Sequence, residues 1–370
     1  MSAHSRGGTR RRTLAVVVGT GMLAGALPAT TATAQEPEPD PTVLRIAGVA
    51  PDANRYGTAA QVATFYPEEV EAVYVTTGES YADALAGAPA ASRGMVPDVP
   101  GVQATPEGEP APVLLVKSNK IPQITQTTID AINPADIIIL GGTGAVQQSV
   151  EDELNASTSA TVTRVGGSTR YETAALLAAE YGSSEKVYVA TGESEAFPDA
   201  LSGSALAGFE GVPVLLTKKD EAPEIVTSTI QDLGATEVVI LGGPKAIDAD
   251  TFTQLGGTSR LAGADRYLTS VEISKAFGYG NGEDAPSAAV VTGRNFPDAL
   301  AISALAGIYA TPVLLVNQPG ANDELPDAVL EELDRLSPDD AMVVGGGTAA
   351  VSQDVEDELN LYVPSWANTP

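Results

Sequence analysis

The chain has 370 residues and carries 48 acidic against 20 basic residues, for a formal charge of −28, with one histidine and no cysteine. A field of that sign repels nucleic acid and anionic membranes at long range. Without cysteine there is no disulfide and no thiol chemistry, so stability in an oxidising compartment must come from burial alone.

The first residues read as a targeting segment. Arg6 and Arg10 to Arg12 precede an apolar run from Leu14 to Leu27, and small residues then lead to Ala32-Thr33-Ala34. That is the three-part layout of a secretory signal peptide, with cleavage expected after Ala34. The apolar run is shorter than the roughly 20 residues of a spanning helix. No second long apolar segment follows, so no membrane span is expected once the signal is gone. Cleavage would remove four arginines and no acid, leaving a charge of −32. It would also remove His4, the only histidine. A Ser-His-Asp triad, a Cys-His pair, a histidine-ligated zinc and a redox thiol are then impossible. A glycosidase built on paired carboxylates passes this test, but no acid pair stands out from the pattern. Residues 35–42, rich in Glu, Pro and Asp, read as a disordered leader.

The rest of the chain repeats itself three times. An opening signature reads Arg45-Ile46-Ala47-Gly48 with Arg55-Tyr56, then Arg164-Val165-Gly166-Gly167 with Arg170-Tyr171, then Arg260-Leu261-Ala262-Gly263 with Arg266-Tyr267. Each Arg-Tyr is followed two residues on by Thr58, Thr173 or Thr269. A second signature starts at Thr77-Gly78, Thr191-Gly192 and Thr292-Gly293. It runs to Asp83-Ala84-Leu85, Asp199-Ala200-Leu201 and Asp298-Ala299-Leu300, the last two preceded by Phe-Pro. Pro-Val-Leu-Leu begins at Pro112, Pro213 and Pro312, and an apolar run ends at Gly141-Gly142, Gly242-Gly243 and Gly346-Gly347. The Asp lies 14 residues before that proline in the second and third repeats, and 29 in the first, where Met95 to Ala111 inserts a Pro-, Gly- and Glu-rich loop.

Each repeat predicts alternating strands and helices. In the first, Val73–Thr76, Val113–Val116 and Ile137–Leu140 read as strands. Helices are expected from Asp83, over Ile124–Ile132, and around Val150–Leu154. Short, uniformly apolar strands alternating with helices mean parallel strands buried on both faces, an α/β class. The expected organisation is a signal peptide at 1–34, a leader at 35–42, modules at 43–160, 161–256 and 257–363, and a tail at 364–370.

Three sets of repeated residues are candidates for binding. Arg55-Tyr56, Arg170-Tyr171 and Arg266-Tyr267 can grip an anionic or sugar-bearing polymer, because Arg forks fit phosphate and carboxylate and Tyr faces stack on sugar rings. They can equally form helix-start ion pairs or pack modules together. Asp83, Asp199 and Asp298 sit where helices begin, as caps or as ligand groups. Thr77, Thr191 and Thr292 mark the strand ends beside them. The Gly-Gly pairs share too little with a dinucleotide fingerprint to be more than tight turns. Repetition of one site would supply avidity toward a repeating polymer.

These signatures closely resemble the cell wall-binding repeat 2 family over about Val43 to Leu361. The resemblance implies three Rossmann- or Toprim-like modules around a pseudo-threefold axis. It also implies a secreted, non-catalytic protein of the Gram-positive cell surface that attaches without a covalent bond to an anionic secondary wall polymer, teichoic-acid-like or another glycopolymer. No cofactor is implied. Ca2+ or Mg2+ bridging carboxylates to phosphates would reconcile the negative charge with an anionic ligand. The alternatives are a self-assembling or protein-binding surface protein, and an enzyme acting on wall glycan. The first repeat departs from the pattern, with Tyr81-Ala82 in place of Phe-Pro and four extra residues between Arg45 and Arg55.

Overall fold

The computed structural model describes residues 42–67, 70–95, 109–193, 197–280, 282–317 and 325–366. The expected signal peptide, all but the end of the leader, most of the insertion in the first repeat, and the last four residues lie outside them.

The first repeat folds as β1 (Thr42–Ile46), α1 (Arg55–Ala63), β2 (Ala72–Thr77), α2 (Ala82–Ser92), β3 (Val113–Val116), α3 (Gln123–Ile132), β4 (Asp136–Leu140) and α4 (Gln148–Ser157). The second folds as β5 (Thr161–Val165), α5 (Arg170–Ala179), β6 (Lys186–Thr191), α6 (Phe197–Glu210), β7 (Val214–Thr217), α7 (Glu224–Asp232), β8 (Glu237–Leu241) and α8 (Ala249–Gln254). The third follows as β9 (Ser259–Leu261), α9 (Arg266–Lys275), β10 (Ser287–Thr292), α10 (Pro297–Ile308), β11 (Val313–Val316), α11 (Asp327–Leu336), β12 (Ala341–Gly345) and α12 (Gln353–Trp366). The expected parallel α/β architecture is present in all three repeats.

Three four-stranded, all-parallel sheets result, in the orders β3-β2-β4-β5, β7-β6-β8-β9 and β1-β12-β10-β11. One edge strand in each sheet comes from the start of another repeat. β5 completes the first sheet and β9 the second, while β1 crosses the whole chain to pair Thr42–Ile46 with Ala341–Gly345. Sheets and sequence repeats are therefore offset by one strand, and the chain closes on itself as a ring. The apolar-run criterion passes over these strands because each is a half-exposed edge containing an arginine.

Those arginines fasten the edges. Arg45 donates to the carbonyls of Gly346 and Val351 at 2.8 and 2.9 Å and to Glu356 at 2.8 Å. Arg164 meets Gly141 O at 2.7 Å and Glu151, and Arg260 meets Gly242 O at 2.5 Å and Ile247 O at 3.0 Å. Each guanidinium satisfies free carbonyls where the adjacent strand of the same sheet, contributed by the preceding repeat around the ring, turns into its helix.

Strand side chains alternate between two cores. Outer faces such as Val73, Val75, Ile137 and Ile139 pack under that repeat's own peripheral helices, whereas Tyr74, Leu115, Ile138 and Leu140 join one inner core shared by all three repeats. At its centre lie α2, α6 and α10, rich in Ala, Gly, Ser and Leu and buried on nearly every side, as a helix without a polar face must be. Small residues let their backbones approach closely. Ser204 donates to Leu85 O at 2.8 Å, Ser303 to Leu201 O at 2.9 Å and Ser92 to Ala304 O at 2.7 Å, so each central helix bonds another around the axis. No helix among the described residues is long and apolar enough to cross a membrane.

Candidate functional site

The repeated signatures converge at the carboxyl ends of the strands, in three equivalent junctions between repeats. Each begins with an N-cap: Asn54 accepts from Tyr56 N and Gly57 N, Thr169 from Glu172 N, and Asp265 from Tyr267 N and Leu268 N. The cap fixes Arg55, Arg170 and Arg266 as the first residues of α1, α5 and α9. A cation is unwelcome at a helix N-terminus, and these three arginines find compensating acceptors. Each donates to the carbonyl of its own repeat's Thr-Gly turn, at Gly78, Gly192 and Gly293. Arginines and tyrosines alike are half-buried, so part of each remains open to solvent.

The aspartates come from the neighbouring repeat. Asp83 lies with Thr173 and Arg170, Asp199 with Thr269 and Arg266, and Asp298 with Thr58 and Arg55. Each carboxylate thus crosses to the next repeat's Arg-Tyr-x-Thr helix, the last closing the ring onto the first. The same threonine hydroxyls accept from Gly167 N, Gly263 N and Gly48 N at 3.1, 3.1 and 3.2 Å, which holds the edge-strand turn in place. The aspartates lie in the first turns of their helices and do not serve as N-caps: α2 and α10 are entered at Tyr81 and Phe296 without a side-chain cap bond.

The Gly-Gly ends make room for these carboxylates. Gly141, Gly242 and Gly346 adopt φ of +105°, +97° and +100°, and a Cβ there would lie 2.7, 2.3 and 2.8 Å from the Oδ2 of Asp83, Asp199 and Asp298. Any side chain would be strained at that φ and would also displace the acid. Burial pushes the Asp199 carboxyl up to about 7, against the pull of Arg266 and the Thr269 hydroxyl. Burial raises Asp83 and Asp298 too, opposed in each case first by a threonine hydrogen bond and then by an arginine. In Asp298, Oδ1 is buried with no hydrogen-bond partner among the described residues.

Thr77, Thr191 and Thr292 are each 1 % exposed. Their hydroxyls accept from Glu79 N, Glu193 N and Arg294 N at 3.1, 3.1 and 3.2 Å, closing the turn that presents the next residues. They shape the site from beneath. Residue-pattern reasoning missed an aromatic cluster above them. Tyr81, Phe197 and Phe296, each two residues before its aspartate, meet with ring centroids 5.1, 5.7 and 6.0 Å apart. Recurrence of an aromatic at that position was the signal for it. The Tyr81 substitution in the first repeat has a structural use: its hydroxyl donates to Gly192 O at 3.1 Å and accepts from Arg170 at 3.0 Å.

The basic residues are distributed unevenly. Of the sixteen beyond Ala34, twelve lie at or just past strand carboxyl ends, including Lys117, Lys120, Lys218, Lys219, Lys245 and Arg294. Only Arg93, Lys186, Lys275 and Arg335 lie at the opposite end. Acids occupy both ends, from Asp136 and Glu237 at strand starts to Glu79 and Glu193 at the turns. Among the described residues no group of three or more acids is placed to hold a metal ion.

Comparison with known proteins agrees with this architecture. The chain is 28 % identical over 320 residues to the N-acetylmuramoyl-L-alanine amidase LytC of Bacillus subtilis, covering 86 % of this chain and 58 % of that one. It is 29 % identical over 252 residues to the amidase enhancer of the same organism, covering 67 % and 33 %. It therefore spans about half the length, or less, of these relatives. In fold it is similar to Cwp6 from Clostridium difficile, with a TM-score of 0.75 at 23 % identity over 94 % of this chain and 50 % of that one. Cwp8 from the same organism gives 0.70 at 24 % over 88 % and 52 %. The profile of cell wall binding domain 2 matches residues 45–151, 164–252 and 260–356, one match for each repeat whose signatures build the junctions. The chain belongs to the cell wall binding domain 2 (CWB2) family, with three copies closed into a ring.

Proposed function

We propose that this chain is a secreted, non-catalytic attachment protein of the cell surface that holds an anionic secondary wall polymer at the carboxyl-end face of its three sheets. The observation that carries this reading is the concentration on that face of twelve of the sixteen basic residues beyond Ala34. A chain of −28 overall is a poor partner for a polyanion, but ligand groups respond to the nearest charges, since salt screens the distant ones beyond about 8–10 Å. Half-buried Arg-Tyr pairs in each junction supply oxyanion donors and sugar-stacking faces. Parallel α/β sheets commonly bind ligands at this end.

Absence of cysteine and of any histidine beyond His4 supports a role without catalysis. Its likeness to the amidase and the amidase enhancer then reflects shared wall-binding repeats. Co-sedimentation with purified cell walls, before and after chemical removal of the secondary polymers, tests the proposal. Binding is expected to disappear on stripping and to weaken with salt. If a chelator also weakens it, divalent cations bridge wall phosphates to surface carboxylates. Failure of the folded protein to bind any wall preparation would overturn the reading in favour of surface self-assembly.

A further inference from the structure

The three junctions differ in the charge of an exposed residue, the one after each Thr-Gly. In the first two repeats it is an acid. Glu79 accepts from Ser118 N at 3.0 Å, and that bond, with Lys117 and Arg55 nearby, holds its carboxyl below the usual range. Glu193 reaches Lys219 N at 3.5 Å and lies close enough to Tyr171 to act on its hydroxyl, as Arg170 and Lys218 do. In both mouths, then, an internal carboxylate already occupies the cationic surroundings. The third repeat reverses the charge. Its residue is Arg294, and the position of Lys117 and Lys218 is taken by Asn317.

Among the described residues nothing pairs with the Arg294 guanidinium, which is exposed to solvent. Its backbone is held by Thr292, and the carbonyl just before it, Gly293 O, accepts from Arg266. Two guanidinium-bearing residues thus meet at the carboxyl end of β10, with the half-buried Tyr267 ring beneath Gly293.

Resting on the wall-binding reading above, we infer that Arg294 is the residue that receives the oxyanion of the wall polymer. The chain then grips its anionic ligand mainly through one junction and not through three equal ones. Glu79 and Glu193 compete with the ligand's anion for the Arg-Tyr pairs of the other two mouths, so those junctions contribute mainly through sugar contacts. A free guanidinium offers a planar fork to phosphate or carboxylate alike.

Arg294→Glu, Glu193→Arg and the unchanged protein would be titrated against purified walls, poly(glycerol phosphate) and polygalacturonic acid over a range of salt. Arg294 is exposed and has no partner among the described residues, so Arg294→Glu should keep the circular dichroism and Tm of the parent. Its affinity should fall about tenfold or more, the loss typical of a charged hydrogen bond, with a weaker dependence on salt. Glu193→Arg should bind several-fold more tightly. Loss on the phosphate polymer alone identifies a phosphodiester ligand, and loss on the uronate alone a carboxylate. Arg294→Glu binding all three probes with parental affinity and salt dependence would overturn the inference while leaving wall binding intact. Walls that hold none of the three proteins would remove the wall-binding reading, and this one with it.

Discussion

The inner core of the third repeat is filled differently from those of the first two. In the first and second repeats a glycine on the central helix faces a leucine at the strand end: a Cβ on Gly87 or Gly203 would lie 2.2 Å from Cδ1 of Leu140 or Leu241. The third repeat exchanges the two sizes. Ile302 occupies the helix position and Gly345 the strand end, where a Cβ would lie 2.9 Å from the Ile302 side chain. Nearby, Tyr74 and Tyr188 are completely buried on the middle strand, and Tyr188 donates to Glu210 at 2.9 Å. Their counterpart is Ala289, which lines a small cavity of about 20 Å3 with Ile302, Leu305 and Tyr309. What the repeats share is the volume between helix and sheet, not the element that supplies it. The junction residues follow the opposite rule, because Asp, Arg and Thr must each stand at a fixed place to complete the same hydrogen bonds.

Breaking the exchange in the second repeat gives the largest expected effect. Gly203→Ile alone should lower stability in urea unfolding by about 3 kcal/mol, because the leucine opposite has nowhere to go. Adding Leu241→Gly should recover about 1 kcal/mol or more, as expected for residues in direct contact. If the double variant lost the sum of the single effects, the two positions would not be exchanging volume.

The junctions can be tested through pH. Between the free aspartate value of 3.8 and about 7, the folded chain holds a proton on Asp199 that the unfolded chain has released. That contribution is fully present below pH 3.8 and is lost as pH rises through about 7. Tm should therefore fall by several degrees between mildly acidic and mildly alkaline buffer. In Asp199→Asn, which stays neutral, the fall should be clearly smaller. An unchanged slope would assign the pH dependence to other groups.

Filling the cavity sharpens the comparison most gently. Ala289→Val should raise stability by about 0.5–1 kcal/mol. The same thermal melts would detect it, and a loss would mean that Ile302 and Leu305 already close the space.

Much of the fold was legible because buried parallel strands leave uninterrupted apolar runs. Val113–Val116 and Ile137–Leu140 appear in the structure with little change of boundary. The edge strands were not legible: Thr42–Ile46 is half-exposed and carries Arg45, whose partners are about 300 residues away. Within the candidate site, the Arg, Asp and Thr positions could be found by their recurrence. That Asp83 answers to Arg170 and not to Arg55 could not, since the repeats are equivalent in sequence and only their order around the ring decides which neighbour each meets.

By itself the sequence determined the class of fold, the number of modules, the register of the repeats and the residue types that do their work. These follow from local pattern, because apolar periodicity and turn chemistry act over a few residues. Tertiary structure alone decided that β1 closes the third sheet, that the threonines lie beneath the surface, that the aspartates link neighbouring repeats, and that Arg294 has no counter-charge among the described residues. Each of these depends on which distant segments pack together, and that is set by the closing of the ring around three small-residue helices.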